Sequence, residues 1–257
     1  MRTISTILLL AGIGFGQASG SKPAAPSADP NAAQSNAAKS AKAQPASSAK
    51  LLDDLEVLNG KAEVVTYRGR RAVHLIPSPD HLGPDDSILA ILERSDFEDG
   101  VIEVEVAGAP REGAPPDSRG FIGISFRVQP HGSKFENIYL RPTNGRADDQ
   151  LRRNHSVQYA SEPEYPWPRL RQENPGVYES YADLEAGAWT RMKIIVSGTT
   201  ARLYVNGAAQ PCLIVNDLKL GKSRGRVALW VHSSTNGYFT NLRVQSKDAD
   251  GKCSENH

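Results

Sequence analysis

Residues 121–141 read FIGISFRVQPHGSKFENIYLR, and their periodicity decides the fold class. In the first part Ile122, Ile124, Phe126 and Val128 alternate with Ser125 and Arg127. In the second, Ile138 and Leu140 alternate with Asn137, Tyr139 and Arg141. Successive side chains on a strand point to opposite faces, so a repeat of two sends one set into a core and the other onto an outer surface. Pro130 and Gly132 break the chain between them. The stretch is therefore two strands, each with one apolar face.

The same pattern extends in both directions. Residues 63–67 and 72–76 flank Arg68-Gly69-Arg70-Arg71, a hairpin signal with glycine at the turn. In residues 101–106, Ile102, Val104 and Val106 alternate with Glu103 and Glu105. Residues 87–92, 156–159, 189–196, 201–205, 212–215, 227–232 and 238–244 are further short strand-like runs. No apolar stripe of helical period separates them. About ten to twelve short strands with Gly/Pro turns and no helices predict an all-β fold, a two-sheet antiparallel β-sandwich of the jelly-roll kind, over residues 51–246.

The rest of the chain of 257 residues is of different character. Arg2, the apolar residues 7–15 and the small residues near position 20 predict a cleaved signal peptide over 1–20. Residues 21–50 are Ala, Ser, Pro, Asn, Gln and Lys, without an aromatic or branched aliphatic side chain, and predict a disordered linker with a reach of roughly 30 Å. Residues 247–257 are expected to be a C-terminal tail. No cysteine follows the signal, which predicts a secreted or periplasmic protein that is not a lipoprotein. Cys212 and Cys253, the two cysteines, form a disulfide candidate in an oxidising compartment, with free thiols the alternative. A net charge of +1 argues against nucleic acid as a partner. The absence of an apolar run of about 18 residues excludes a transmembrane helix.

Alternation gives an outward surface carrying Arg127, Asn137, Tyr139, Arg141, Tyr204, Trp230 and His232. A solvated face favours Lys, Glu and Thr instead. Flat rings offer stacking surfaces for sugars, and Arg, Asn and Gln supply the directional hydrogen bonds that hydroxyls need. The long polar stretch over residues 134–181 repeats the theme with Asn144, Arg146, Arg153, Asn154, Gln158 and Tyr159. Within it, Tyr165 and Trp167 are braced by Pro163, Pro166 and Pro168. A loop this long and polar in a compact domain is usually functional. The partner expected is an oligo- or polysaccharide. The competing reading makes the same residues a second, partly polar core beneath the loop.

Candidates for catalysis are His155 and His232, which titrate in the useful range, and the pair Glu103/Glu105. The two glutamates are placed about 6–7 Å apart by strand rise, near the spacing that two-carboxylate glycosidases use. Asp148-Asp149 can hold Ca²⁺ through oxygen ligands or cap a turn. No spacing typical of a zinc site, a nucleophile elbow or a phosphate loop is present.

Residues 97–106 (FEDGVIEVEV), 121–128, 134–142 (KFENIYLRP), 186–207 (AGAWTRMKIIVSGTTARLYVNG) and 225–244 resemble the concanavalin A-like lectin/glucanase superfamily, including laminin G-like domains. They look closest to its bacterial branch, the 3-keto-disaccharide hydrolase domain. The resemblance implies a jelly roll with a concave glycan-binding face. The glucanase pattern of three acidic residues alternating on one strand is not matched, since residues 102–108 supply only Glu103 and Glu105. Three functions stay open: a carbohydrate-binding module, an enzyme cleaving a glycoside or keto-glycoside, and a protein–protein adhesion module.

Overall fold

The computed structural model describes residues 52–247 and the backbone of residues 253–256. The expected signal peptide and linker lie outside the described residues. The strands are β1 (Leu55–Leu58), β2 (Gly60–Tyr67), β3 (Arg70–Pro77), β4 (Ser87–Leu92), β5 (Gly100–Pro110), β6 (Ile122–Val128), β7 (Phe135–Leu140), β8 (Val157–Glu162), β9 (Glu179–Ser180), β10 (Thr190–Ser197), β11 (Thr200–Val205), β12 (Leu213–Val215), β13 (Arg226–His232), β14 (Thr235–Lys247) and β15 (Cys253–Asn256). They form two antiparallel sheets. The first runs β1-β4-β13-β6-β7-β8-β9; the second runs β12-β11-β10-β5-β14-β3-β2, with β15 added against β14. The all-β sandwich expected from the repeat of two is what the chain forms.

The inner faces meet through the expected residues. Ile88, Leu229, Ile124 and Ile138 from the first sheet pack with Val104, Ile194, Leu203 and Phe239 from the second, all essentially inaccessible. Each such side chain contributes about 1.5–3 kcal/mol through its removal from water. The β2–β3 turn shows local chemistry at work. Tyr67 pairs with Arg70, and Arg68 and Gly69 between them both take positive φ, 44° and 75°. That is the two-residue turn whose twist matches a hairpin, with glycine where it is cheapest.

Two buried polar clusters close the sandwich. Tyr159 Oη donates to Glu136 Oε2 at 2.7 Å, while the backbone N–H groups of Lys219 and Leu220 donate to Tyr159 Oη and Glu136 Oε1 at 2.8 Å each. Tyr159 therefore points inward, not onto the outer surface expected of it. Val157 before it fills the core, so the strand's alternation fixes Gln158 outward and Tyr159 inward. Burial raises the Glu136 carboxyl above its usual range, against the lowering effect of the Tyr159 hydroxyl.

Arg127 is the second correction. Expected outward, it is fully buried. Its φ is +54°, beside the bulge where the β13–β6 register shifts between Arg226 and Ala228. The left-handed residue breaks the alternation. Its guanidinium donates to the Glu98, Gly198 and Gly221 carbonyls and to Asp99 Oδ1, binding three loops.

The chain also contains helices that the sequence reading did not expect. Helix α1 (Gln150–Asn154) starts at Asp149, whose carboxylate accepts from the Arg152 N–H at 2.8 Å. Helix α2 (Trp167–Glu173) buries Leu170. The expected tail is partly a strand, since β15 pairs with the end of β14. Cys212 is a free thiol, which burial pushes up to about 11. It precedes β12, and four strands, β11, β10, β5 and β14, lie between β12 and β15, which carries Cys253. That is about 24 Å at ordinary strand spacing, beyond the reach of a disulfide. The Cys253 side chain lies outside the described residues.

Candidate functional site

The outer face of the first sheet carries a second cluster of side chains, and its floor is set by one glycine. Gly123 of β6 pairs with Trp230 of β13 on one side and with Tyr139 of β7 on the other. A Cβ there would lie 2.5–2.6 Å from Tyr139 atoms, so no other residue fits. Because the position is empty, the Trp230 and Tyr139 rings close over it, with centroids 4.8 Å apart. Phe121 lies edge-on to Tyr139 at 6.2 Å and beside His232 at 5.1 Å. Around them Leu89, Ile91 and Ala228 on the β4–β13 side and Phe135 and Ala160 on β7 and β8 complete a buried apolar cluster.

At the β8–β9 end this aromatic row meets a buried charge. Arg141 is 4% exposed. Its guanidinium donates to Tyr139 Oη, Gln158 Oε1 and Glu179 Oε1, each at 3.2 Å, and more weakly to the His155 carbonyl. It also lies 5.2 Å from the Trp167 ring centroid. Arg171, from α2, grips Glu179 through Nε and Nη2, and sits 4.5 Å from the same indole. His155 Nε2 is 3.5 Å from Glu179 Oε2. Burial holds the His155 imidazole below its ordinary pKa; Glu179 pulls it up, and Arg171 and Arg141 push it down. The neutral ring is thus the favoured form.

Of the residues expected on this surface, the structure brings together Asn137, Tyr139, Arg141, Gln158, Trp230, Asn144, His155 and Trp167. Asn137 accepts from Ser125, and Asn144 Nδ2 donates to the His155 carbonyl at 3.2 Å. His232 lies at the margin with both nitrogens engaged: Nδ1 accepts from the Ser234 N–H, which leaves Nε2–H to donate to the Pro84 carbonyl at 2.8 Å. Neither nitrogen is left for a substrate proton. Arg146 pairs with Asp183 and Glu185 at the exposed rim, Arg153 with the Tyr181 hydroxyl and ring, and Asn154 with Gln150. Tyr165 lies beneath Arg169, 4.2 Å from its ring centroid.

Besides the inward Arg127 and Tyr159, three expected residues are elsewhere. Tyr204, Glu103 and Glu105 occupy the outer face of the second sheet, on β11 and β5. There Glu103 pairs with Arg191 at 2.9 Å and Glu105 with Arg70 at 2.7 Å. Alternation showed them outward but not on which sheet. Asp149 serves as the α1 cap and Asp148 is exposed; among the described residues no group of three His, Cys, Asp or Glu side chains is placed to hold a metal.

The sequence reading missed Phe121, Arg171, Glu179 and Glu162. Glu162 follows Gln158 and Ala160 on the outward face of β8, and burial, with the nearby Asp85 carboxylate, raises its pKa. Alternation from Gln158 would have found it. For Arg171, Pro168 in the first turn before Leu170 was a helix-start signal.

No family model matches the chain, and no curated protein matches it. Among solved structures it is similar to a protein of unknown function with a galectin-like fold from Bacillus subtilis. The identity is 11% over 77% of this chain and 90% of that one, with a TM-score of 0.51. It also matches the carbohydrate binding module CBM66 from Bacillus subtilis (15% identity, 74% and 93% covered, TM-score 0.49) and the exoplasmic/lumenal domain of VIP36 (13%, 80% and 93%, 0.45). At 11% identity the likeness to the protein with the galectin-like fold speaks for the fold alone. Among the described residues no helix is long and apolar enough to cross a membrane.

Proposed function

We propose that this protein is an exported carbohydrate-recognising jelly roll that binds a glycan on the outer face of its first sheet. One observation carries the reading: the row of Trp230, Tyr139 and Phe121 ends at the buried Arg141–Glu179 centre under Trp167. Rings hold the apolar faces of a sugar, and a fixed polar group orients its hydroxyls. Arg141 is held by four acceptors, so the centre is organised before a ligand arrives. The test is a glycan array probed with the full chain. Binding to a defined set of saccharides is expected, and silence across the array would point instead to a protein partner.

A second reading, a glycoside-cleaving enzyme of the 3-keto-disaccharide hydrolase kind, has Glu162 in its favour. A carboxyl held above its usual range on a sugar-facing surface is suited to general-acid work. Incubating array hits and 3-keto-glucosides with the protein, followed by mass spectrometry, decides it. Products that vanish in Glu162→Gln would make the protein an enzyme, whereas binding without products leaves a recognition module.

A further inference from the structure

The charges at the Trp167 end of the site do not balance. Glu179 is shared by Arg141, Arg171 and His155, and its two oxygens are fully engaged. Two further guanidinium groups lie close by without a carboxylate partner among the described residues. Arg119 donates to the Pro116 and Ser118 carbonyls, and Arg152 to Asn144 Oδ1 at 3.5 Å. Arg119 is held below its usual pKa by burial and by the positive charges of Arg152 and Arg141, with Asp117 opposing. Arg119 therefore lies close to two like charges, and neither it nor Arg152 has a carboxylate at ion-pair distance among the described residues.

The hydrogen bonding is incomplete at the same corner. Of the seven buried side-chain polar atoms without a partner among the described residues, four belong to Arg141 (Nε), Thr143, Arg152 (Nε) and Ser180. Three of them lie together, with Thr143 in the turn after Arg141 and the Arg152 side chain reaching Asn144 next to it, whereas Ser180 pairs with Val157 and so faces the core. Buried polar atoms are normally satisfied, and orphans gathered in one place mark a site built for another group. Arg141 is itself more than nine-tenths buried.

We infer that this corner takes an acidic sugar, binding the carboxylate of a uronic acid residue through Arg119 and Arg152. The inference rests on the glycan reading above. The Arg171–Glu179 pair already shows that the corner accommodates a planar carboxylate in a guanidinium fork. A sulfate ester offers the same charge but a tetrahedral set of oxygens.

The test measures affinity of the full chain for three matched probes: an oligogalacturonate, its methyl ester and a sulfated galactan oligosaccharide, within an array that also holds neutral glycans. The acid should bind at least about tenfold more tightly than its ester, the expected value of one charge-assisted contact, and the preference should weaken with added salt. Arg152→Gln and Arg119→Gln, both at partly exposed positions, should each remove most of that preference while leaving the folded state intact. Equal binding of acid and ester, or binding confined to neutral glycans, would overturn the acidic specificity and leave the glycan reading standing. Binding of sulfated probes alone would overturn the carboxylate assignment. Absence of binding to every saccharide would remove both.

Discussion

The outer faces of the two sheets are made of the same kinds of residue and are put together in opposite ways. On the second sheet Tyr67 and Tyr238 lie face to face, 3.8 Å apart and 6° from parallel, and His74 stacks on Tyr238 at 4.5 Å. Trp189 stands edge-on to Tyr67, and Arg70 reaches over its ring. Every ion pair there sits at the surface, as with Arg70–Glu105 and Arg191–Glu103. Rings that cover one another's faces, and charges paired in water, leave little unmet demand. A cavity of about 290 Å³ does open beside His74, Arg111 and Asn236, but its other walls are chiefly Ile76, Leu82 and prolines. On the first sheet the rings lie side by side and the central ion pair is buried. Composition alone does not distinguish a decorated face from a site; the burial of charge does.

The comparison breaks most visibly at Glu179. Its side chain is 2% exposed and neutralises two arginines. Removing one partner of a buried pair leaves the other charge stranded, at a cost of about 3–5 kcal/mol. Glu179→Gln should therefore lower the urea midpoint by a large margin. A change under 1 kcal/mol would show that the centre is not buried in solution.

The next largest effect concerns binding. Trp167 is 40% exposed, so Trp167→Ala can be made without opening the core. Loss of an aromatic anchor of this kind costs about 2 kcal/mol, roughly thirtyfold in Kd. Tyr238→Ala, its counterpart on the second sheet, should leave affinity within about twofold of the parent. Titration calorimetry against the best array hit reads both, and the reverse ranking would move the site to the other face.

Much of this contrast was hidden in the sequence for identifiable reasons. The sandwich was legible because residues 101–106 and 121–141 alternate strictly, and alternation is a property of the strand itself. Which outward residues share a face depends on strand pairing. Tyr204 was therefore grouped with Trp230, although β11 lies in the other sheet. Arg127 was misplaced because a single left-handed residue reverses the parity. Glu179 escaped because β9 has two residues, too few for any period. Arg141 and Tyr139 were found because β7 keeps its repeat up to the site.

A smaller effect separates the two faces from the other direction. Glu105 is paired with Arg70 and Asn241 on an accessible strand. Surface pairs of this kind contribute about 0–1 kcal/mol. Glu105→Gln should therefore change the urea midpoint little, in contrast to Glu179→Gln. A loss comparable to that of Glu179 would mean that the second face carries a buried centre of its own.

The smallest effect is one of pH, and it involves a histidine on each face. Burial lowers the pKa of His155 and, by the same principal cause, that of His74. A histidine whose folded pKa lies below its unfolded value takes up its proton first in the unfolded chain. Its contribution is thus fully present above about pH 6.5, and is lost as the pH falls through that value toward the folded pKa. Glu136 and Glu162 have raised pKa values and act in the opposite sense, losing their contribution as the pH rises above the ordinary carboxylate range. The informative quantity is therefore the difference between parent and His155→Gln, in which those terms cancel. That difference should shift against the parent as the pH is lowered from 7.5 to 5.5. A flat difference would mean that His155 is solvated like a free imidazole, and that Glu179 and the two arginines do not enclose it.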